Sequence, residues 1–184
     1  GMSVDIPKAV LDCGFCRVAN ASSHWAQQII GALSTDEPFD IISMEIWHPG
    51  KTTPSNKGEQ FQKAILTCLC NMTGFANLAF VSQLDSNMMA RLAFSHFCVP
   101  NGIHKLVLID KDSAFKGDLM TMCDILGVRY VVAAPEEHNA ILCKRFHRYL
   151  NKVQRIGVAE AQSYEKWRMN ALFASYAWNA SPVD

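Results

Sequence analysis

The sequence predicts an α/β domain in which helices flank a mixed five-stranded sheet. Three strand patterns follow one another with no helix pattern between them, at residues 39–47, 64–70 and 75–81. The rest of the chain alternates between strand and helix patterns, an order that calls for parallel pairing. We therefore expect three antiparallel strands followed by parallel strands in one sheet.

The composition is that of one globular domain rather than a disordered, membrane or disulfide-rich chain. The 184 residues are 49% hydrophobic and 18% charged, which is enough to build a core. Seven cysteines without a signal-peptide pattern indicate a reducing, intracellular compartment. No apolar run approaches the roughly 18 residues that a membrane span needs, so no membrane partner is expected. The formal net charge is zero, so any charge-based partner must be recognised by a local cluster.

The first three strands are predicted from β-branched, aromatic and apolar runs. Residues 39–47 form the first, and His48-Pro-Gly ends it before a polar loop over residues 51–60. The apolar runs 64–70 and 75–81 are joined by Asn71-Met-Thr-Gly74, which is a hairpin signal with glycine at the turn.

The fourth strand carries the most informative acidic residue. Residues 85–98 are predicted to form a helix capped by Asp85 or Ser86 and ended by Pro100-Asn-Gly102. In the strand predicted at residues 104–110, four apolar residues precede Asp110. A buried strand of this kind presents a carboxylate at the rim of the sheet, where a metal ion or a substrate can meet it.

The remaining elements alternate. Residues 117–126 are expected to form a short helix closed by Gly127, and residues 128–133 a further buried strand. A last helix, over residues 159–178, is rich in Ala, Trp and Tyr and could pack on the domain or on a second copy of it.

The segment 138–155 is predicted to be an amphipathic helix. Its apolar residues recur at spacings of three and four and form one face: Leu142, Phe146, Tyr149, Leu150 and Val153. The opposite face is expected to carry Lys144, Arg148, Asn151, Lys152 and Arg155, and Arg145 completes five basic residues with no acidic one. Such a stripe is either a solvated helix face or a surface for phosphates. The position of the stripe, after the strand that ends at Asp110, favours a surface for phosphates.

A Cys-x-x-Cys motif stands near the beginning of the chain, at Cys13 and Cys16. Two thiolates from one tight turn are half of a tetrahedral zinc site, but no second pair of ligands lies near enough to complete it. The motif is therefore either two ordinary thiols or the remnant of a zinc site whose other ligands lay upstream.

Carboxylates at the ends of the first and fourth strands and on the major helix are the layout of two-metal phosphoryl transfer. Two divalent ions held close together need several converging carboxylates, because each ion polarises an oxygen around the phosphorus. Hard oxygen ligands favour Mg²⁺ or Mn²⁺.

Three segments together resemble the catalytic core of retroviral and retrotransposon integrases, within the ribonuclease H-like superfamily. They are FDIISMEIWHPG (39–50), LIDKDSAF (108–115) and PEEHNAILCKRFHRYLNK (135–152), and they are more similar to copia-type elements than to bacterial transposases. The Cys13–Cys16 motif resembles the tail of the zinc module that precedes such cores. The resemblance implies a ribonuclease H-like fold, DNA as partner, a homodimer, Mg²⁺ or Mn²⁺ in active relatives, and a nuclear location if the host is eukaryotic.

Carried over residue by residue, the resemblance implies a degenerate acidic triad. The family's first acid falls on Glu45 and its second on Asp110, while its third falls on Lys144, 34 residues further on. The longer Glu45 displaces its carboxylate, and Lys144 exchanges a metal ligand for a cation that competes with the metal. Glu45 and Asp110 remain as the implied metal ligands, and Glu136 and Glu137 are possible substitutes.

Two functions of different class follow from these observations. The first is a mobile-element integrase core, a metal-dependent polynucleotidyl transferase by ancestry whose catalysis is impaired in this chain. The second is an inactive or host-adopted module that binds nucleic acid or dimerises. In either case residues 1–30 are expected to be the remnant of the zinc-module tail and a linker, residues 31–178 the integrase-core-like domain, and residues 179–184 a tail.

Overall fold

One five-stranded sheet organises the chain in a computed structural model, which describes residues 37–49, 64–132, 141–161 and 167–181. Its strands are β1 (Ile41–Trp47), β2 (Ala64–Cys70), β3 (Ala76–Val81), β4 (Leu106–Ile109) and β5 (Arg129–Val132). The order across the sheet is β3-β2-β1-β4-β5. The first three strands pair antiparallel, whereas β4 pairs parallel with both β1 and β5. The predicted mixed sheet is therefore confirmed.

Four principal helices accompany the sheet: α1 (Ser86–Leu92), α2 (Asp118–Leu126), α3 (Ile141–Ala161) and α4 (Trp167–Ala180). Asp85 caps α1 as predicted, since its side chain accepts a hydrogen bond from the Met88 N–H at 2.8 Å. The chain then continues helically through a π-helical segment, Ala93–Cys98, and one further turn, Val99–Asn101. A 3₁₀ turn, Ser113–Phe115, follows β4. None of the helices described here is long and apolar enough to cross a membrane.

The helices form two layers because successive strand residues point to opposite faces of the sheet. On one face, Ile42 and Met44 of β1 share a buried cluster with residues of α1 and α2. On the other face, Trp47 of β1 packs with Phe146 and Leu150 of α3 and with residues of α4. The odd-numbered residues of β1 therefore face α3, which places Glu45 on the α3 side.

The two C-terminal helices differ in extent from the predicted ones. Helix α3 covers Ile141–Ala161 rather than 138–155, and α4 covers Trp167–Ala180 rather than 159–178. The buried face of α3 contains Phe146 and Leu150 as predicted, but it also contains Cys143 and Gln154. Asn151, which was expected on the opposite face, lies at the seam, where its Oδ1 accepts a hydrogen bond from Trp47 Nε1 at 3.0 Å.

The start of β1 is fixed to its neighbours through Phe39. This residue has a left-handed backbone with φ of 66°, which is uncommon for a bulky side chain. Its N–H donates to Cys70 Sγ at 3.1 Å, and its carbonyl accepts from His104 Nδ1 at 2.8 Å. These bonds join the beginning of β1 to the end of β2 and to the approach to β4, so they set the register on which the candidate site depends.

The Cys13–Cys16 motif, Glu136 and Glu137 lie outside the described residues. The zinc remnant, the substitute ligands and the expected division of the chain at residue 30 therefore stay predictions.

Candidate functional site

Strands β1 and β4 bring the two predicted carboxylates to one edge of the sheet. The last paired residues of this parallel ladder are Met44 and Ile109, and Glu45 and Asp110 each follow by one residue. Leu106 and Leu108 of β4 share a buried cluster with Ile41 of β1, so residues of that parity in the two strands lie on the same face. Glu45 and Asp110 continue that parity. Their proximity also acts electrostatically, since the Asp110 charge raises the pKa of Glu45.

Helix α3 adds Lys144 to the two carboxylates. The helix packs on β1 at the preceding residue, where the buried Cys143 thiol donates to the Ser43 carbonyl at 3.3 Å. Lys144 is half-buried, and its charge lowers the pKa of Glu45, in opposition to Asp110. The structure thus brings Glu45, Asp110 and Lys144, the three predicted triad positions, to one place.

The carboxyl group of Glu45 is largely shielded from water. Its side chain is 15% exposed, and Oε2 is buried without a hydrogen-bond partner among the described residues. Burial is the main cause that raises the pKa of Glu45 to about 7, and Asp110 adds to it. A substantial fraction of this carboxyl group is therefore protonated at neutral pH.

His147, one helical turn after Lys144 on α3, lies beside the buried Glu45 oxygen. Its Nδ1 lies 3.4 Å from Glu45 Oε2. Burial is again the main cause that lowers the pKa of His147 to about 4, with the nearby His48 as a second cause. An imidazole of that pKa is neutral at pH 7, so the two groups form a neutral pair rather than an ion pair.

Thr67 determines which nitrogen of His147 carries the proton. It pairs with Glu45 across the β1–β2 ladder, and its hydroxyl donates to the Glu45 carbonyl at 2.8 Å. His147 Nε2 lies 2.8 Å from the same hydroxyl oxygen. A hydroxyl has only one proton to donate, so Nε2–H is the donor in this contact and Nδ1 directs a lone pair toward Glu45.

Asp110 belongs to a tight turn that limits its carboxylate. One oxygen, Oδ1, accepts the Lys111 N–H at 2.7 Å, and the Asp110 carbonyl accepts the Asp112 N–H at 2.8 Å. Asp112 in turn caps the 3₁₀ turn by accepting the Ala114 N–H. The turn leaves Asp110 half-buried at the end of its strand, with one oxygen already engaged by the backbone.

Solved structures share this architecture. The catalytic core domain of BIV integrase superposes with a TM-score of 0.58 at 13% sequence identity, over 79% of this chain and 87% of that chain. The chain has the fold of an integrase catalytic core. No protein-family model matches the sequence. The comparison with curated proteins likewise finds no match. At 13% identity the likeness shows the fold alone.

The integrase-core fold implies a divalent metal, and the described residues fit a two-ion site poorly. Such a site needs several converging carboxylates. Among the described residues, no group of three or more His, Cys, Asp and Glu side chains could hold an ion. Lys144, the residue predicted at the third carboxylate position, supplies an ammonium, and the buried oxygen of Glu45 faces His147 instead of open space.

The predicted basic stripe lies on α3 beside this site. Arg148 and Arg155 are exposed, while Lys144, Arg145 and Lys152 are half-buried. Arg155 Nε donates to the Asn151 carbonyl at 3.3 Å, which directs the guanidinium along the helix surface. The five basic residues begin at the carboxylates and continue along the helix for about three turns.

Sequence reasoning assigned no role to His147 or Thr67. His147 lies at the boundary between the apolar and basic faces of α3. It follows the buried Cys143 by four residues, so a helical wheel places it next to the sheet. Thr67 is the one hydroxyl in the otherwise apolar strand AILTCLC, and it is fully buried. Neither signal identifies a partner without the strand register that sets Thr67 opposite Glu45.

Proposed function

We propose that this chain is an integrase-core-like domain of mobile-element origin that binds DNA and whose polynucleotidyl transfer is impaired. The observation that carries the proposal is the place of Lys144. It lies on the helix that faces Glu45 and Asp110, and its charge acts directly on the Glu45 carboxyl. An ammonium in that place attracts the two carboxylates and repels the divalent ions that the chemistry requires.

The chemistry of Glu45 supports impaired catalysis independently of Lys144. A carboxyl with its pKa raised to about 7 binds a metal ion weakly, because a proton competes for the same oxygen. Among the triad positions only position 110 keeps the family's residue, and one oxygen of Asp110 accepts a backbone N–H. Glu45 and Asp110 are thus the remaining ligand candidates of an incomplete site.

DNA binding is supported by the charge on α3. The whole chain has a formal net charge of zero, yet five basic residues lie on one helix between positions 144 and 155. Phosphate contacts depend on such local clusters rather than on the total charge. The proposed phosphate-binding residues are Lys144, Arg145, Arg148, Lys152 and Arg155.

The DNA-binding proposal predicts a specific salt dependence. We expect Arg148→Ala/Arg155→Ala to reduce the slope of log affinity against log salt by about 1.8, since each lost phosphate contact removes about 0.9. Fluorescence anisotropy with a labelled duplex over a range of salt concentrations measures this slope. Arg91→Ala/Arg129→Ala is the matched control, because both residues are exposed and lie on other elements. Binding that ignores salt, or equal losses in both double variants, would contradict the proposal.

Impaired catalysis is tested with a nicking or strand-transfer assay in Mn²⁺. We expect no turnover above background from the unaltered chain, because position 45 carries Glu in place of the family's Asp and position 144 carries Lys in place of an acid. Glu45→Asp/Lys144→Glu restores the family's residues at both positions and is expected to raise activity and metal affinity together. Robust turnover by the unaltered chain, abolished by Asp110→Asn, shows instead that the present site is competent.

A second candidate function, dimerisation, is favoured by an exposed apolar stripe on α4. Its buried face packs Trp167, Ala171 and Ala174 on the domain. The other face exposes Met169, Leu172, Phe173 and Tyr176, each by at least 45%. Spacings of three and four place these side chains on one side of the helix, where a second copy of the chain can cover them.

A further inference from the structure

We propose that the His147 imidazole covers the Glu45 oxygen that would bind a metal ion. The site then excludes divalent cations as long as this ring is in place. This inference concerns the site of the proposed function and rests on that function for its setting. It goes further because it assigns the closed state of the site to a particular residue that lies outside the acidic triad.

The geometry of Glu45 is the first support. Oε2 has no accessible surface and no hydrogen-bond partner among the described residues, and His147 Nδ1 lies 3.4 Å from it. An ion bound to this oxygen needs a space of about 2 Å on the side that the imidazole now covers. Because Oε2 has no accessible surface, the imidazole has to move before an ion can reach this oxygen.

The way in which His147 is held is the second support. Its Nε2–H donates to Thr67 Oγ1 at 2.8 Å, and that hydroxyl donates to the Glu45 carbonyl at 2.8 Å. The ring is thus connected to the backbone of the residue whose side chain it covers. The buried Cys143 and Phe146 lie in the helical turn before it on α3, so the helix cannot turn the ring away without loss of packing.

The test measures Mn²⁺ binding to the full chain by electron paramagnetic resonance of the free ion. Lys144→Ala removes the competing ammonium and serves as the background for both arms. We expect Lys144→Ala/His147→Ala to bind Mn²⁺ at least tenfold more tightly than Lys144→Ala alone. Addition of Asp110→Asn should abolish the gain, which locates the ion at this site. Equal Mn²⁺ affinity with and without His147 would overturn the proposal.

A second measurement needs no substitution and decides the matter if the double variant fails to fold. In the nuclear magnetic resonance spectrum of the unaltered chain, the ring signals of His147 should show the Nε2–H tautomer and stay sharp when substoichiometric Mn²⁺ is added. Selective broadening of these signals places an ion beside the ring and overturns the proposal. Thr67→Val, which removes the acceptor of Nε2–H, should shift the tautomer signal and raise Mn²⁺ affinity in the Lys144→Ala background.

The two proposals fail separately in these experiments. The salt dependence of DNA binding should be the same with and without His147, because the half-buried imidazole contributes no surface charge at neutral pH. DNA binding that ignores salt, or that is lost equally in the arginine variants and their control, overturns the DNA-binding proposal and leaves the cation result untouched. A tight Mn²⁺ site in the unaltered chain overturns the role of His147 and leaves the basic surface in place.

Discussion

At the scale of single residues, Glu45 and His147 exchange their ordinary protonation states on folding. In water, glutamate has a pKa of 4.5 and histidine a pKa of 6.5. Between pH 4.5 and 6.5 the glutamate is therefore ionised and the histidine is protonated. In the folded chain, burial raises the pKa of Glu45 to about 7 and lowers that of His147 to about 4. Between pH 4.5 and 6.5 the pair binds one proton in the folded state and one in the unfolded state. Together the two residues therefore make the free energy of unfolding depend little on pH.

The single variants should therefore show opposite pH dependence. With Glu45→Gln, the remaining His147 binds a proton more readily when unfolded, so the free energy of unfolding should fall as pH drops from 6.5 toward 4. With His147→Asn, the remaining Glu45 keeps its proton better when folded, so the free energy of unfolding should fall as pH rises from 4.5 to 7. Each slope is at most about 1.4 kcal/mol per pH unit, the limit for one proton.

Urea unfolding at pH 5, 6 and 7 measures these slopes for the two variants and the unaltered chain. His104, whose pKa burial also lowers, is present in all three proteins, so its contribution cancels in the comparison. After subtraction of the slope of the unaltered chain, slopes of the same sign in the two variants would show that burial does not shift the two pKa values in opposite directions.

At the scale of elements, the sequence predicts what periodicity and turn residues determine. The hairpin at Gly74 and strands β1, β2 and β3 lie within two residues of their predicted bounds. Asp110 follows its strand as predicted, although the ladder of β4 is only Leu106–Ile109. The predicted strand begins at His104, but this residue precedes the ladder, and its imidazole donates to the Phe39 carbonyl.

The elements that the sequence predicts less well depend on tertiary contacts. The helix after Asp85 passes Pro100 because the preceding segment is π-helical, and it ends at Gly102, whose φ is 86°. The contact between His147 and Thr67 joins residues 80 positions apart, which no local pattern specifies. The sequence thus predicted three residues that lie together in the structure, Glu45, Asp110 and Lys144, whose role as a triad stays a prediction, but it missed the side chains that surround Glu45.

The crossing of α3 and α4 gives a prediction at this scale. Gly157 of α3 faces Asn170 of α4, and a Cβ at position 157 would overlap the Asn170 side chain, with Cγ at 2.7 Å. Alanine normally favours a helix by up to about 1 kcal/mol over glycine, but here Asn170 must first leave its contact with Gln154. We expect Gly157→Ala to lower the free energy of unfolding by about 1 kcal/mol.

The matched background is Asn170→Ala, which removes the obstructing side chain. In this background Gly157→Ala should stabilise the protein, because only the helix propensity remains. Urea unfolding of the four proteins of this double-mutant cycle gives the coupling between the two positions. Additive effects would mean that the two side chains do not meet.

At the scale of the whole molecule, charge and apolar surface are separated although the totals are ordinary. The net charge is zero, yet α3 concentrates basic residues beside the carboxylates, while α4 in the same layer exposes an apolar stripe. A dimer formed through α4 places two copies of the α3 surface in one particle. Two such surfaces bind one duplex more tightly than one, because the second contact is intramolecular.

The dimer predicts a specific response to charge on α4. Leu172→Glu/Phe173→Glu places two carboxylates in the centre of the exposed stripe, where a twofold interface brings them close to their copies. We expect the dimer dissociation constant to rise at least tenfold, since central apolar contacts commonly contribute more than 1 kcal/mol each. Sedimentation equilibrium measures this constant. Ile125→Glu is the control, because that side chain on α2 is 79% exposed and lies in the opposite helical layer. A monomer in the unaltered chain, or equal weakening by the control, would remove α4 as the interface and leave DNA binding to a single α3 surface.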